Sequence, residues 1–189
     1  MPPNSKKKQK PKNNKILRFG YLSRFHKSKG SNQILHIASN LPPSQELIIA
    51  GKDVVGTSYS KKFKSLATEK KNIKFLGRLK DRESVSDFFN SIDCFLCPSV
   101  REGGCIALQE AIWHEIPFIT TNVPGCDVLA KLFECPAPEL DDFSLEVLKG
   151  SFKFDNLDTK NWRKKLKPFM TNSVEKELTK TLNKIVDEF

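Results

Sequence analysis

Five short apolar runs, each followed by a segment of helical character, constrain the fold of this chain more than any other feature. The runs span residues 16–22, 46–51, 72–77, 93–97 and 116–120. Their apolar residues are continuous rather than alternating with polar ones, which is typical of strands that are buried on both faces. Because helical segments separate the runs, we predict an α/β fold with a doubly wound parallel sheet, covered by helices on both faces.

The remaining segments predict the helices and the domain limits. Helices are expected between Gly30 and Pro42, over 58–71, from Asp81 to Ile92, over the segment that contains Glu110, and over 127–132, 140–148 and 174–189. The last of these has a clean amphipathic pattern. Residues 1–15 are rich in proline, lysine and asparagine and are expected to form a disordered basic tail or linker. Residues 16–189 would then form one domain.

The stretch from Cys97 to Ala111 is where the sequence points to a ligand. It leaves the fourth strand, passes through Glu102-Gly103-Gly104 and enters the helix that carries Glu110. The first amides of a helix are free and carry a partial positive charge, so this end suits a phosphate group. The glycines let a ligand approach the backbone closely. The two carboxylates could then face one ligand, from the loop and from the helix.

Polar residues also follow the other predicted strands. Arg24 and Lys29 come after the first strand, residues 77–81 after the third and residues 122–125 after the fifth. Ligands of open α/β sheets bind beyond the carboxyl ends of the strands. We therefore expect one crevice to collect these loops together with the loop that carries Glu102.

The charge distribution leaves two interpretations of the tail. The formal net charge is +10, of which six lysines in residues 1–15 supply +6 and the rest of the chain +4. The tail is either an anchor for an anionic membrane or nucleic acid or, as we favour, a solvated linker. A basic body fits an anionic small molecule. With no run of bilayer-spanning length and no secretory signal, we expect a cytoplasmic protein and leave contact with the membrane face open.

The cysteines are expected to be buried and reduced. Cys94 and Cys97 form a C-x-x-C pair, but their odd offset within a strand turns them to opposite faces. They are therefore poorly placed to chelate a metal together. Five cysteines without a secretory signal favour a reducing compartment.

Five short motifs occur in an order and spacing that are known from one protein family. They are Arg24-Phe25-His26-Lys27-Ser28-Lys29-Gly30, Leu47-Ile48-Ile49-Ala50-Gly51, Ile73-Lys74-Phe75-Leu76-Gly77, Pro98-Ser99-Val100-Arg101-Glu102-Gly103-Gly104-Cys105 with Glu110-Ala111, and Pro117-Phe118-Ile119-Thr120-Thr121. Over residues 16–136 the chain resembles the C-terminal, donor-binding domain of retaining glycosyltransferases of the family 4 or group 1 type. The resemblance implies a single Rossmann-like half of the two-domain GT-B arrangement.

The resemblance implies three catalytic residues. Arg24 and Lys29 would hold the donor diphosphate and stabilise the departing nucleoside diphosphate, since a leaving group that gains negative charge needs fixed cations. Glu102 would contact the transferred sugar and support positive charge at its anomeric carbon. Neither His26 nor His114 matches a role in the family, so both are expected to be structural.

The resemblance also implies the residues that bind the rest of the donor. The backbone of the phosphate loop, Glu110 at the ribose hydroxyls and the backbone of Leu79 at the base would complete the site; the loop residues are Gly103, Gly104, Cys105 and Ile106. The family typically needs no metal, and no Asp-x-Asp motif occurs here. We expect a UDP or GDP sugar as donor substrate, and no cofactor.

Several departures from the family pattern qualify this expectation. Cys105 replaces the second glycine of the phosphate loop, and Ser23 and Glu115 replace two other usual glycines. No acceptor-binding N-terminal half is recognisable, so that half would come from elsewhere in a longer protein or from a partner subunit. The sequence thus predicts a hexosyl-type glycosyltransferase domain that is inactive alone, with a glycan or lipid-linked acceptor. A non-catalytic nucleotide-sugar-binding module is the alternative, and nucleic-acid binding is disfavoured.

Overall fold

The computed structural model describes residues 17–102, 105–150, 152, 154 and 157–167. Its strands are β1 (Leu17–Phe25), β2 (Gln45–Asp53), β3 (Ile73–Gly77), β4 (Cys94–Cys97) and β5 (Phe118–Thr120). Its helices are α1 (Ser31–Asn40), α2 (Tyr59–Glu69), α3 (Arg82–Ser91), α4 (Ile106–Trp113), α5 (Cys126–Phe133), α6 (Leu140–Lys149) and α7 (Trp162–Leu166). Short 3-10 turns, Lys27–Lys29 and Thr159–Asn161, precede α1 and α7. The predicted tail and the predicted helix over 174–189 lie outside the described residues.

The strands form one parallel sheet in the order β3-β2-β1-β4-β5. The order reverses between β1 and β4, which is the position where ligand crevices form in such sheets. The pairing at this position is brief, because β1 and β4 align only at Phe19↔Cys94 and Gly20↔Phe95. One residue before this pairing on each side, Arg18 donates to both carboxylate oxygens of Asp93, at 2.9 Å each.

Helices cover both faces of the sheet, so the predicted doubly wound arrangement is confirmed. Buried side chains of α1, α2 and α6 pack on one face, and those of α3, α4, α5 and α7 on the other. Cys94 and Cys97 belong to opposite faces, as their offset predicts. Trp162 is buried against Phe118 and Phe133, with ring centroids 6.0 and 5.2 Å away.

Two glycines permit close approaches that shape the crevice. A Cβ at Gly20 would meet Ile92 at 2.5 Å, so α3 packs directly on the backbone of β1. Gly30 has a φ of +70°, and a Cβ there would lie 1.8 Å from the carbonyl oxygen of Pro98. Only glycine fits such a contact. The loops after β1 and β4 therefore touch, and the Val100 amide donates to the Ser28 carbonyl at 2.9 Å.

One predicted boundary is wrong in a way that affects the site. We expected the first strand to end at Leu22, but β1 continues to Phe25 because its register with β2 continues to Phe25↔Asp53. Arg24 therefore lies in the strand itself and not in the loop after it. Among the described residues, no helix is both long and apolar enough to cross a membrane.

Candidate functional site

A cavity of about 410 Å³ lies at the carboxyl ends of β1 and β4, where the strand order reverses. Six predicted site residues line it: Arg24, Lys29, Glu102, Cys105, Ile106 and Glu110. The fold thus brings together residues that are up to 86 positions apart in the chain. Gly103 and Gly104, which are predicted to cradle a phosphate, lie outside the described residues.

The centre of this cavity is an ion pair between Lys29 and Glu102. Lys29 Nζ lies 2.7 Å from Glu102 Oε2, and the two side chains are 24% and 10% exposed. The other carboxylate oxygen, Oε1, accepts a hydrogen bond of 2.6 Å from Ser99 Oγ. Both oxygens of Glu102 are therefore engaged, one by a cation and one by a hydroxyl.

Buried neighbours hold both partners of this pair. The hydroxyl of Tyr21 donates to the backbone carbonyl of Lys29 at 2.9 Å and lies 3.1 Å from Ser31 Oγ. Burial raises the pKa of Tyr21 far above its ordinary value, so the hydroxyl stays protonated. On the other side, Ser99 is buried, and its carbonyl accepts a hydrogen bond from Thr121 Oγ1. Lys29 and Glu102 thus meet from two anchored loops.

Arg24 lies on the exposed edge of the same cavity. It is near the carboxyl end of β1, and Lys29 lies in the turn that follows this strand. The guanidinium of Arg24 therefore adds a second cation to the cavity. Within the described part of the chain, no ion pair engages Arg24. Its charge is therefore available to an anion that enters the cavity.

Helix α4 begins at the floor of the cavity. Its N-cap residue, Cys105, adopts a left-handed conformation with φ of 43°, and its side chain makes no capping hydrogen bond. Within the described part of the chain, the first amides of α4 are therefore not capped by the side chain that precedes them. Ile106, the first helical residue, is 73% exposed.

The left-handed backbone at Cys105 gives a physical reason for a glycine at this position in the family pattern. A non-glycine residue in this conformation costs about 1–2 kcal/mol. The Cys105 side chain is buried, and its Sγ lies 2.7 Å from Cys126 Sγ. The cysteine therefore adds backbone strain and packs most of its side chain into the core.

The buried thiols are structural, as predicted. All five cysteines are free. Hydrogen bonding to Cys105 raises the pKa of Cys126 to about 12, and burial raises that of Cys135 to about 12. Such thiols are poor nucleophiles because the thiolate is scarce at neutral pH. Among the described residues, no group of three or more His, Cys, Asp or Glu side chains is placed to hold a metal ion.

A second cavity of about 570 Å³ lies alongside, between the loop after β3 and the exposed face of α4. Leu79, Arg82, Gln109, Trp113 and His114 are among its lining residues. Ile106 and Glu110 line both cavities and mark the ridge between them. The two cavities therefore adjoin along α4.

Glu110 occupies this ridge in a half-buried position. Desolvation by burial raises its pKa, while the positive charge of Arg82 acts in the opposite direction. Arg82 was not singled out by the sequence, because the first residue of a surface helix carries no motif. Its place three residues after Leu79, the predicted contact to the base, was the only available signal.

His26 and His114 have structural positions. His26 Nδ1 lies 2.7 Å from Ser28 Oγ and accepts from the Ser28 amide at 3.2 Å, so the ring caps the turn that precedes α1. His114 stacks on Phe89 with ring centroids 5.1 Å apart. Burial, and then the charge of Arg163, lowers the pKa of His114. This ring also lines the second cavity, which its sequence context did not indicate.

Comparison with known proteins now identifies the family. Residues 3–149 match the family model described as Glycosyl transferases group 1. The chain belongs to this family. CapH of Staphylococcus aureus, a capsular polysaccharide biosynthesis glycosyltransferase, is 30% identical over 130 residues, which are 65% of this chain and 35% of CapH. The chain thus spans about a third of the length of that relative.

Solved structures of glycosyltransferases share the fold. HepE of Anabaena, solved in complex with UDP-glucose, superposes with a TM-score of 0.70 at 17% identity, over 90% of this chain and 49% of HepE. The C-terminal domain of LpcC from Francisella tularensis, a group 1 glycosyl transferase, gives a TM-score of 0.62 at 18% identity, over 81% of this chain and 85% of that domain. The chain therefore has the Rossmann-like fold of a GT-B half-domain.

Proposed function

We propose that this chain is the donor-binding half of a retaining, metal-independent glycosyltransferase of hexosyl type. The observation that carries the proposal is the pair of adjacent cavities, which meet at Glu110 and hold two cations, Arg24 and Lys29, in the first. A nucleoside diphosphate sugar has matching parts. Its diphosphate suits the cationic cavity, and its nucleoside suits the larger, more apolar one.

The electrostatics of the first cavity support binding of a diphosphate. Arg24, Lys29 and the first residues of α4 line one volume. Cations and helix amides aimed at one point stabilise negative charge most strongly where water is partly excluded. In the transfer step, the bond between the anomeric carbon and the phosphate oxygen breaks and the electron pair stays on the oxygen. Arg24 and Lys29 would stabilise that charge.

The two glutamates would bind hydroxyls at opposite ends of the donor. Glu102 lies beside the cations, where the sugar joins the diphosphate, and a carboxylate there accepts hydroxyl hydrogen bonds and stabilises a positively charged anomeric carbon. Glu110 lies on the ridge towards the second cavity, where the ribose would lie. Leu79 lines the second cavity at the loop after β3, in the position proposed to meet the base.

The acceptor would be a glycan or a lipid-linked sugar, bound by a second half that closes the crevice. The capsular polysaccharide function in the name of CapH supports a glycan. That second half would be another part of a longer protein or a partner subunit, and the domain would be inactive without it. Residence in the cytoplasm, at the membrane face if the acceptor is lipid-linked, remains a prediction.

Isothermal titration of the chain with UDP, GDP and ADP tests the proposal. We expect saturable binding of UDP or GDP, with no requirement for a divalent cation and unchanged affinity in EDTA. If none of the three nucleotides bound at millimolar concentration, the donor-binding assignment would be wrong. Deletion of residues 1–15 should leave the affinity unchanged, since the described site contains no residue from the tail.

A non-catalytic nucleotide-sugar-binding module is the second candidate. The strained backbone at Cys105, in the loop that would hold the phosphate, is the observation that favours it. The two candidates differ in a transfer assay with the acceptor-binding half supplied as a separate chain. Transfer of radiolabelled sugar would support the enzyme, and its absence with intact donor binding would support the module.

A further inference from the structure

The ion pair between Lys29 and Glu102 competes with the ligand that the site is proposed to bind. Lys29 Nζ is 2.7 Å from Glu102 Oε2, within a partly buried cavity. An ammonium group is a compact charge, so contact with a phosphate oxygen must weaken its contact with the carboxylate. A diphosphate would also bring negative charge close to Glu102. Binding of a diphosphate therefore has to displace this pair.

Glu102 is held in place independently of Lys29. Ser99 Oγ donates to Glu102 Oε1 at 2.6 Å, and Ser99 is itself only 2% exposed. The Ser99 amide donates to the Cys97 carbonyl at 2.9 Å, and its carbonyl accepts from Thr121 Oγ1. When Lys29 turns to a phosphate, Glu102 is therefore expected to stay where it is and lose the partner of one carboxylate oxygen.

We propose that Glu102 makes the site discriminate between the intact sugar donor and the sugar-free nucleoside diphosphate. The inference rests on the proposed function. A nucleoside diphosphate alone takes Lys29 and leaves Oε2 of Glu102 without a partner. The intact donor brings sugar hydroxyls, which donate to Oε2 in place of the ammonium group. The ion pair thus disfavours the product and not the donor.

The same exchange promotes release of the product. After transfer, the sugar has left Oε2, and Lys29 gains by returning from the phosphate to the carboxylate. A part-buried carboxylate without a partner is costly, so the ion pair re-forms as the nucleoside diphosphate leaves. Ser99 acts as a positioning residue in this exchange, because it keeps Glu102 within reach of both Lys29 and the sugar.

Titration of UDP and UDP-glucose into the parent chain and Glu102→Gln tests this inference, with GDP and GDP-mannose if the guanine nucleotide is the one that binds. The amide is neutral and holds Lys29 less firmly. We expect Glu102→Gln to bind UDP three- to tenfold more tightly than the parent, and its preference for UDP-glucose over UDP to fall by at least that factor. Unchanged or weaker UDP binding would overturn the inference, whereas no nucleotide binding by the parent would overturn the proposed function.

Two further variants separate the ion pair from other effects of the substitution. In a Lys29→Met background only charge repulsion between Glu102 and the diphosphate remains, so Glu102→Gln should give a smaller gain in UDP affinity than in the parent; an equal gain in the two backgrounds would mean that Glu102 acts by simple charge repulsion and would overturn the exchange. Glu146→Gln is the matched control, since Glu146 pairs with Lys149 at 3.1 Å on α6, and it should leave UDP affinity unchanged. If Glu102→Gln fails to fold, Glu102→Asp, which draws the carboxylate away from Lys29, is expected to change UDP affinity in the same direction.

Discussion

The two cavities along α4 are built in different ways. The first is tightly organised, because short contacts connect Lys29, Glu102 and the buried Ser99, and Arg24 adds a second cation at its edge. The second is larger and more apolar, with Trp113, Val85 and Leu79 in its lining. The first would hold the reacting part of a donor and the second would identify its nucleoside. Fixed charges in the first cavity would stabilise charge that develops during the reaction, while the apolar area and shape of the second would select the nucleoside.

Lys29→Ala is the change with the largest expected effect on this contrast. It removes a cation from the first cavity and leaves Glu102 facing the diphosphate with its charge unbalanced. Loss of a charged hydrogen bond costs about 1.5–3 kcal/mol, so the affinity for UDP should fall roughly 10- to 150-fold in calorimetry. Lys149→Ala, on the exposed surface of α6, is the control and should bind like the parent. An unchanged affinity in Lys29→Ala would mean that the first cavity does not bind the diphosphate.

Glu110→Ala should have a smaller effect and one that is confined to nucleosides. It removes the carboxylate on the ridge where the ribose is proposed to lie, so we expect UDP to bind about tenfold more weakly. Inorganic pyrophosphate, which has no ribose, should compete for the site equally well in the parent and the variant. If both ligands lost affinity to the same extent, the proposed division between the two cavities would be wrong.

The ionised carboxylate of Glu110 should also destabilise the folded chain. Burial raises its pKa in the folded state, so the folded chain retains this proton at a pH where the unfolded chain has lost it. Stability contributed at low pH is therefore lost as the pH rises through the folded pKa. Glu110→Gln should therefore unfold at a higher temperature than the parent at pH 7.5. This difference should shrink towards pH 4, and a pH-independent difference would contradict it.

Cys105→Gly should have the smallest effect on binding. Glycine relieves the left-handed backbone but loses the buried contact with Cys126, and these two changes in stability oppose each other. Because most of the side chain is packed into the core, the affinity for UDP should stay within about twofold of the parent. A gain of tenfold or more would show that the cysteine obstructs the phosphate loop, in favour of the non-catalytic module.

The sequence predicted the first cavity better than the second. Arg24, Lys29, Glu102 and Glu110 occur within short motifs, so their types and spacing are visible without a structure. The second cavity collects Arg82, Trp113 and His114 from two helices that meet only in the folded chain. No local pattern marks such residues, because their shared position depends on how α3 packs against α4.

The fold was predictable for a similar reason, and its errors are the element boundaries and the short helix α7, which the sequence did not predict. Continuous apolar runs identified all five strands, but the polar residues Ser23 and Arg24 concealed the last residues of β1. Pairing with the equally long β2 extends that strand in spite of its composition. The role of Ser99 was also concealed, because a buried hydroxyl that positions a carboxylate looks like any serine after a proline.

The brief pairing between β1 and β4 has a mechanical consequence. The sheet consists of a three-stranded part, β3-β2-β1, and a two-stranded part, β4-β5, joined along a short seam at Phe19 and Gly20. Arg18 and Asp93 clamp one end of that seam, and Lys29 and Glu102 bridge the other. A diphosphate that drew Lys29 away would replace the Lys29–Glu102 ion pair with contacts made by the ligand. The contacts that connect the two parts of the sheet at this end would then include the bound ligand, beside the hydrogen bond from the Val100 amide to the Ser28 carbonyl.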